Sequence, residues 1–309
     1  MKTLCRGLLL AGCCLSSLAT AQVSLAPQWQ SPLLREHPLV GRIWDQQAGR
    51  FISEQELLNA ITRRPYLLLG EKHDNPDHHA LQRALLGQLA SQTAAVTFEM
   101  MDSTQADGLA SLARGAPGSL DELKARLAWD EDGWNWDFYG PLIHNTLAAG
   151  ITVRAGNIST EEMRRVYSES LPAALEGVLQ DTALASLNQE IDTSHCGQLP
   201  ASQFPAMVRV QQSRDHRMAS VMAQSAGPGV GILVAGNFHI RQDLGVPAYL
   251  LAAGAVSDLD EVVSLALLEV SETVTDPGEY TRGYGELSAY DFVWFTPKLT
   301  EEDYCAAFL

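Results

Sequence analysis

Short apolar runs that stop abruptly at polar residues constrain this chain more than any other feature. Residues 66–69, 95–98, 151–154 and 231–234 are such runs, and 262–270 and 291–296 follow near the end. Their length and their Gly, Pro or polar boundaries predict strands. The early runs lack alternation of polar and apolar residues. That predicts strands buried on both faces, the habit of a parallel sheet covered by helices. Helical periodicity fills the gaps. Residues 77–90 carry Leu81, Leu85, Leu86 and Leu89 at helix spacing. Residues 120–129 follow a Ser119 cap, and 141–149 form a short helix closed by Gly150. Ser159-Thr160-Glu161-Glu162 opens a further helix, with acids where the helix dipole favours them. Residues 204–224 carry Met207, Val208, Met218, Val221 and Met222, and stop before Gly227-Pro228-Gly229. The alternation predicts an α/β fold with a mostly parallel sheet flanked by helices. The interval 158–227 has helical signals and no convincing strand, and it is too long for a simple crossover. It reads as a helical insertion, a cap or subdomain over the sheet.

Residues 1–21 stand apart as an export signal. Lys2 and Arg6 precede an apolar stretch from Leu8 to Leu18, and Ala19-Thr20-Ala21 is a small-residue cleavage site. Residues 22–309 then form the mature domain. Leu10-Ala11-Gly12-Cys13 competes as a lipobox, in which Cys13 would be lipidated. Either reading exports the protein, to the periplasm or to the outer membrane as a lipoprotein. Cleavage after Ala21 leaves Cys196 and Cys305, which can pair in an oxidising compartment or stay as thiols. The formal net charge of −16 argues against a nucleic-acid binder, which would show a basic face. It also disfavours adsorption to anionic lipid.

The strand ends carry the chemistry. The first run leads into Glu71 and His73, the second into Glu99, the third into Gly156-Asn157, and the fourth into Gly236-Asn237-Phe238-His239. Ligands of open parallel sheets bind beyond the carboxyl ends of the strands. Buried carboxylates are costly unless paired or bound to a cation. Gly70 to His73 and Gly236 to His239 are both Gly-x-x-His, where a Gly permits a tight turn and close backbone approach. The plainer alternative is that His73 and His239 cap loops or helix ends. His78 and His79 sit in a helix start made by Asn75, Pro76 and Asp77. Arg241 can neutralise a carboxylate, grip an anionic ligand, or form a surface ion pair.

Gly70-Glu71-x-His73-Asp74-Asn75-Pro76-x-His78-His79-x-x-Gln82 resembles the signature of the ChaN-like haem-binding lipoproteins. Their superfamily includes Tiki, TraB and the erythromycin esterases. Phe98-Glu99-Met100, Gln212-x-Arg214-Asp215-x-x-Met218-Ala219 and Gly236-Asn237-x-His239-x-Arg241-x-Asp243-x-Gly245-Val246-Pro247 match in the right order. The resemblance implies an exported protein of haem and iron uptake, a homodimer holding two haems face to face, and a tyrosine axial ligand. An outer-membrane haem receptor would be its partner. Tyr167 in the insertion is the first candidate ligand, Tyr139 the second and His195 the third. The superfamily's active members imply an alternative, a metal-dependent hydrolase. His73 and His239 would then ligate Mn, Zn or Fe, with Glu71 or Glu99 as ligand or general base. A metal-free esterase with His73 as base is a third reading. The absence of a Gly-x-Ser-x-Gly elbow weakens a covalent serine mechanism.

Overall fold

A computed structural model of the chain describes residues 25–306, apart from 27, 113–116, 225 and 226. Residues 1–21, with the expected export signal and Cys13, lie outside the described residues. Eight strands form one sheet: β1 (Ile43–Asp45), β2 (Arg50–Ile52), β3 (Tyr66–Glu71), β4 (Thr93–Asp102), β5 (Thr152–Asn157), β6 (Val230–Gly236), β7 (Val262–Glu269) and β8 (Phe292–Thr296). Their order is β2-β1-β8-β7-β3-β6-β4-β5. The last six are parallel, and the β1–β2 hairpin adds to β8 in antiparallel fashion. Around the sheet stand α1 (Glu54–Ile61), α2 (Pro76–Leu89), α3 (Ala106–Leu112), α4 (Leu120–Arg126), α5 (Trp136–Ala148), α6 (Thr160–Ser168), α7 (Asp181–Ser194), α8 (Phe204–Ala223), α9 (Val246–Ala252) and the single turn α10 (Pro277–Tyr280). This is the expected α/β fold. Among the described residues no helix is long and apolar enough to cross a membrane.

Strand side chains alternate between two faces, and each face has its own core. Leu67, Leu69, Val96, Phe98, Ile232 and Val234 join the side covered by α2 and α5. Leu68, Leu233, Ala235, Ala266 and Val293 join the side covered by α8 and α9. Burial on both faces is why these strands read as continuous apolar runs. The consequence for function lies in the register. Strands β3 and β6 are neighbours, with Glu71 opposite Gly236. That pairing brings the two Gly-x-x-His motifs side by side at one sheet edge.

Several boundaries differ from the sequence expectation. Helix α5 starts at Trp136 rather than Pro141, because the Asn135 side chain accepts from Asp137 N at 2.9 Å and caps it there. Pro141 lies inside this helix, where it removes the bond an N–H would make to the Asp137 carbonyl. Strands β3 and β4 run on through Glu71 and Glu99, where a charged residue interrupts the apolar pattern. In the interval 158–227, α8 packs directly on β4, β5 and β6, so it belongs to the sheet's own helical layer. Helices α6 and α7 pack on α8 in turn. Cys196, just past α7, is disulfide-bonded to Cys305, with Cα atoms 5.4 Å apart.

Candidate functional site

Two carboxylate–histidine groups meet beyond the strand ends, one from each face of the sheet. On the α2–α5 side, Glu71 is 1% exposed. His73 Nδ1 donates to its Oε1 at 2.9 Å, and the Tyr139 hydroxyl donates to the same oxygen at 2.6 Å. His79 Nδ1 stands 3.2 Å from Oε2, and His79 Nε2 donates to the His73 carbonyl at 3.0 Å. Burial opposes charge on Glu71, but the charges and hydrogen bonds of His79 and His73 outweigh it and hold the carboxyl well below its usual range. On the α8 side, His239 lies between two acids. Its Nε2 is 3.2 Å from Glu99 Oε1 and its Nδ1 is 2.5 Å from Asp215 Oδ1. Gly236 N donates to Glu99 Oε2 at 2.8 Å. Asn157 Nδ2 donates to the Glu99 carbonyl at 3.0 Å.

The two groups meet at His73. A Cβ on Gly236 would stand 2.8 Å from His73 Nε2. A Cβ on Gly70 would stand 2.3 Å from Asn237 Oδ1. Space, rather than a left-handed backbone, therefore demands glycine in both motifs. The Glu99 carboxylate also acts on His73, whose pKa is raised against the cost of burial by its bond to Glu71 and by the charge of Glu99. The His73 side chain is 41% exposed, whereas His239 and both glutamates are buried. His78 plays a different part. Its Nδ1 accepts from Lys72 N at 2.9 Å, and burial pushes its pKa down to about 3, so it is a neutral structural residue.

This arrangement limits the chemistry. Both nitrogens of His239 are engaged, so neither offers a lone pair to a metal or a substrate proton. Burial opposes the imidazolium, but Glu99 and Asp215 raise its pKa to about 10. Such a group is a fixed cation at neutral pH, not a general base. Among the described residues no three His, Cys, Asp or Glu side chains are disposed as a metal-binding group. The set His73, His239, Glu71 and Glu99 is gathered, but as ion pairs whose acceptors already face imidazole N–H groups.

Opposite shifts in this cluster set a pH optimum. Burial works against Glu99 as an anion, yet His239 depresses its pKa from 4.5 to about 2. Its contribution to stability is complete above pH 4.5 and is lost as pH falls through about 2. His239 is raised from 6.5 to about 10, so its contribution is complete below pH 6.5 and is lost as pH rises through about 10. Thermal melts should therefore peak between about pH 5 and 6.5 and decline on either side. In His239→Ala the alkaline decline above pH 6.5 should flatten; an unchanged slope would place the titration elsewhere.

Two cavities adjoin this region. One, of about 510 Å³, is lined by Glu71, Lys72, His73, Glu190, His239 and Glu269, with other residues of the strand ends and α7. The second, of about 560 Å³, lies among α6, α7 and α8. Its walls are Met163, Ile191, Met207 and Val210, with Tyr167, His195, Arg164 and Arg214 as polar groups. Ile191, Ser194 and Gln211 line both cavities. Tyr167 is 37% exposed, and the Arg209 guanidinium donates to its carbonyl at 2.9 Å. His195 Nδ1 donates to the Ile191 carbonyl at 2.7 Å, so a further contact of the ring falls to Nε2.

Tyr139 belongs to the first site rather than the second. Its hydroxyl serves Glu71, and only 1% of the residue is exposed. Arg241 is committed to Asp243 through bonds of 2.9 and 2.7 Å. Asp215 is the functional neighbour that residue-by-residue reasoning passed over. Its only signal was its place in the Gln212-x-Arg214-Asp215 segment.

The sequence profile of the haem-binding uptake, ChaN family of the Tiki superfamily matches residues 57–250. The chain belongs to this family. No curated protein matches it. Among solved structures, ChaN of Campylobacter jejuni with cofacially bound haem aligns with a TM-score of 0.67 at 24% identity, over 82% of this chain and 95% of that one. It shares the fold. A mutant erythromycin esterase EreC in its open conformation aligns with a TM-score of 0.47 at 13% identity, over 84% of this chain and 97% of that one.

Proposed function

We propose that this protein binds haem in the cavity among α6, α7 and α8, as an exported component of haem and iron uptake at the bacterial cell envelope. The carrying observation is that Tyr167 and His195 line one cavity whose walls, Ser194 and Gln211 apart, are otherwise apolar or basic. The residues present suit a porphyrin. Met163, Ile191, Met207 and Val210 offer an apolar bed, and the buried Nε of Arg214 has no partner. Bound haem would supply a hard ferric centre, for which an anionic phenolate is a matched donor. Tyr167 is the proposed axial ligand, His195 a second polar contact. The exposed position of Tyr167 favours a haem shared between two copies of the chain, as a homodimer. The signal segment and the Cys196–Cys305 disulfide support an oxidising compartment, the periplasm or the outer-membrane surface. Delivery to an outer-membrane haem receptor would complete the role.

Haemin titration of the mature protein tests this reading. The expected result is a saturable Soret shift, together with a doubling of mass in sedimentation. A broad shift that never saturates would overturn it.

Ester hydrolysis at the strand ends is a second reading with one observation in its favour. Glu71 holds His73 by Nδ1, which leaves Nε2 facing the first cavity's floor at Gly236. If that reading holds, aryl-ester turnover should fall at least about tenfold in His73→Ala. Turnover equal to the unaltered protein's would exclude it.

A further inference from the structure

We infer that the α6–α7–α8 cavity captures its ligand by carboxylate groups through Arg214, and so takes tetrapyrrole dicarboxylates whether or not they carry iron. The inference rests on the haem reading of this cavity and extends it to the ligand class.

Among the described residues Arg214 has no carboxylate within ion-pair distance, although its charge acts on the neighbouring Asp215. Its Nη2 reaches only the Met163 sulfur, at 3.7 Å, and its Nε is buried with no hydrogen-bond partner. A thioether is a weak acceptor, whereas a guanidinium stays charged and presents five donors in a planar fork. Two other arginines of the region are already committed. Arg209 donates to the carbonyls of Val166 and Tyr167 at 3.2 and 2.9 Å, and Arg241 grips Asp243. Leaving a part-buried guanidinium unpaired is costly unless a ligand completes it.

The surroundings specify the ligand. The chain carries 37 acidic and 21 basic residues, yet no Asp or Glu lines this cavity, and Arg164 and Arg214 do. The remaining wall is largely apolar. A ligand that fits has a broad apolar body and carboxylates that meet the guanidinium fork in pairs. A porphyrin with two propionates has that form. Iron adds a bond to Tyr167 but contributes nothing to apolar burial or to the carboxylate pair. Porphyrin capture and iron ligation are therefore separable.

The test is a fluorescence titration of the full chain with iron-free protoporphyrin IX and with its dimethyl ester, beside a haemin titration. The diacid should bind saturably, and the ester about tenfold more weakly or worse. Arg214→Gln should weaken diacid binding by about tenfold and abolish the diacid–ester difference, and Arg214→Lys should recover part of it. Palmitate, a carboxylate on a flexible chain, should not displace the diacid at equal concentration. Equal binding of diacid and ester by the unaltered chain overturns the inference, even if Arg214→Gln fails to fold. Displacement by palmitate also overturns it, because the cavity would then select any amphiphilic acid. Haemin binding without diacid binding defeats this inference alone. Failure of both defeats the haem reading with it.

Discussion

His239→Ala is expected to destabilise the fold by about 3–5 kcal/mol, the usual cost of leaving buried charge without its partner. The imidazolium is the counter-ion of two buried acids, Glu99 and Asp215. Removing it leaves Glu99 with the Gly236 N–H as its remaining close donor, and leaves Asp215 without its bond to the ring. Both carboxyls would then have to protonate or draw in water. The diagnostic feature is the pH dependence of the loss. Raising the pH from 6.5 towards 9 removes part of the imidazolium's contribution in the parent, so the gap between variant and parent should narrow. Urea unfolding at the two pH values measures it. A loss under about 1 kcal/mol at pH 6.5, or a gap that widens as the pH rises, would show that the triad is not a buried ion cluster.

Cys305→Ser is expected to cost about 2–5 kcal/mol. The bond joins residues 109 apart, and loops of this length gain about 4.7 kcal/mol in the chain-entropy account. Noncovalent ties would still hold the tail. The Tyr304 hydroxyl donates to Asp74 Oδ2 at 2.6 Å, and the Lys72 ammonium lies 5.5 Å over the Tyr304 ring. Both are exposed, and such contacts contribute well under about 1 kcal/mol each. Reductant should therefore lower the melting temperature of the parent and leave that of Cys305→Ser unmoved. Two free thiols in protein recovered from an oxidising compartment would contradict the pairing.

The buried strands were legible because burial on both faces writes them as unbroken apolar runs. Their ends were less so. Glu71 and Glu99 interrupt the pattern, yet both stay in the strand because histidines and, at Glu71, a tyrosine satisfy them. The four residues proposed for the strand-end site do assemble there, since each lies at or just beyond a strand terminus. What a linear reading lacks is the register of β3 against β6, a pairing of residues far apart in the chain. Tyr139 illustrates the same gap. Its neighbours Trp134, Trp136 and Phe138 suggest a surface for a flat ligand, but α5 turns the phenol inward to Glu71. Asp215 sits mid-helix, where an acid ordinarily faces solvent, and only the packing of α8 on the sheet buries it. The β1–β2 hairpin, three residues to a strand, is too short to register as periodicity.

The central claim is that the haem site lies among α6, α7 and α8, apart from the strand-end cluster. The most direct measurement is the absorption spectrum of haemin-loaded Tyr167→Phe beside that of Tyr139→Phe. Tyr167→Phe should lose the phenolate-to-iron charge-transfer band, and Tyr139→Phe should keep it. Retention of the band in Tyr167→Phe, with its loss in Tyr139→Phe, would move the haem to the strand ends and contradict the account.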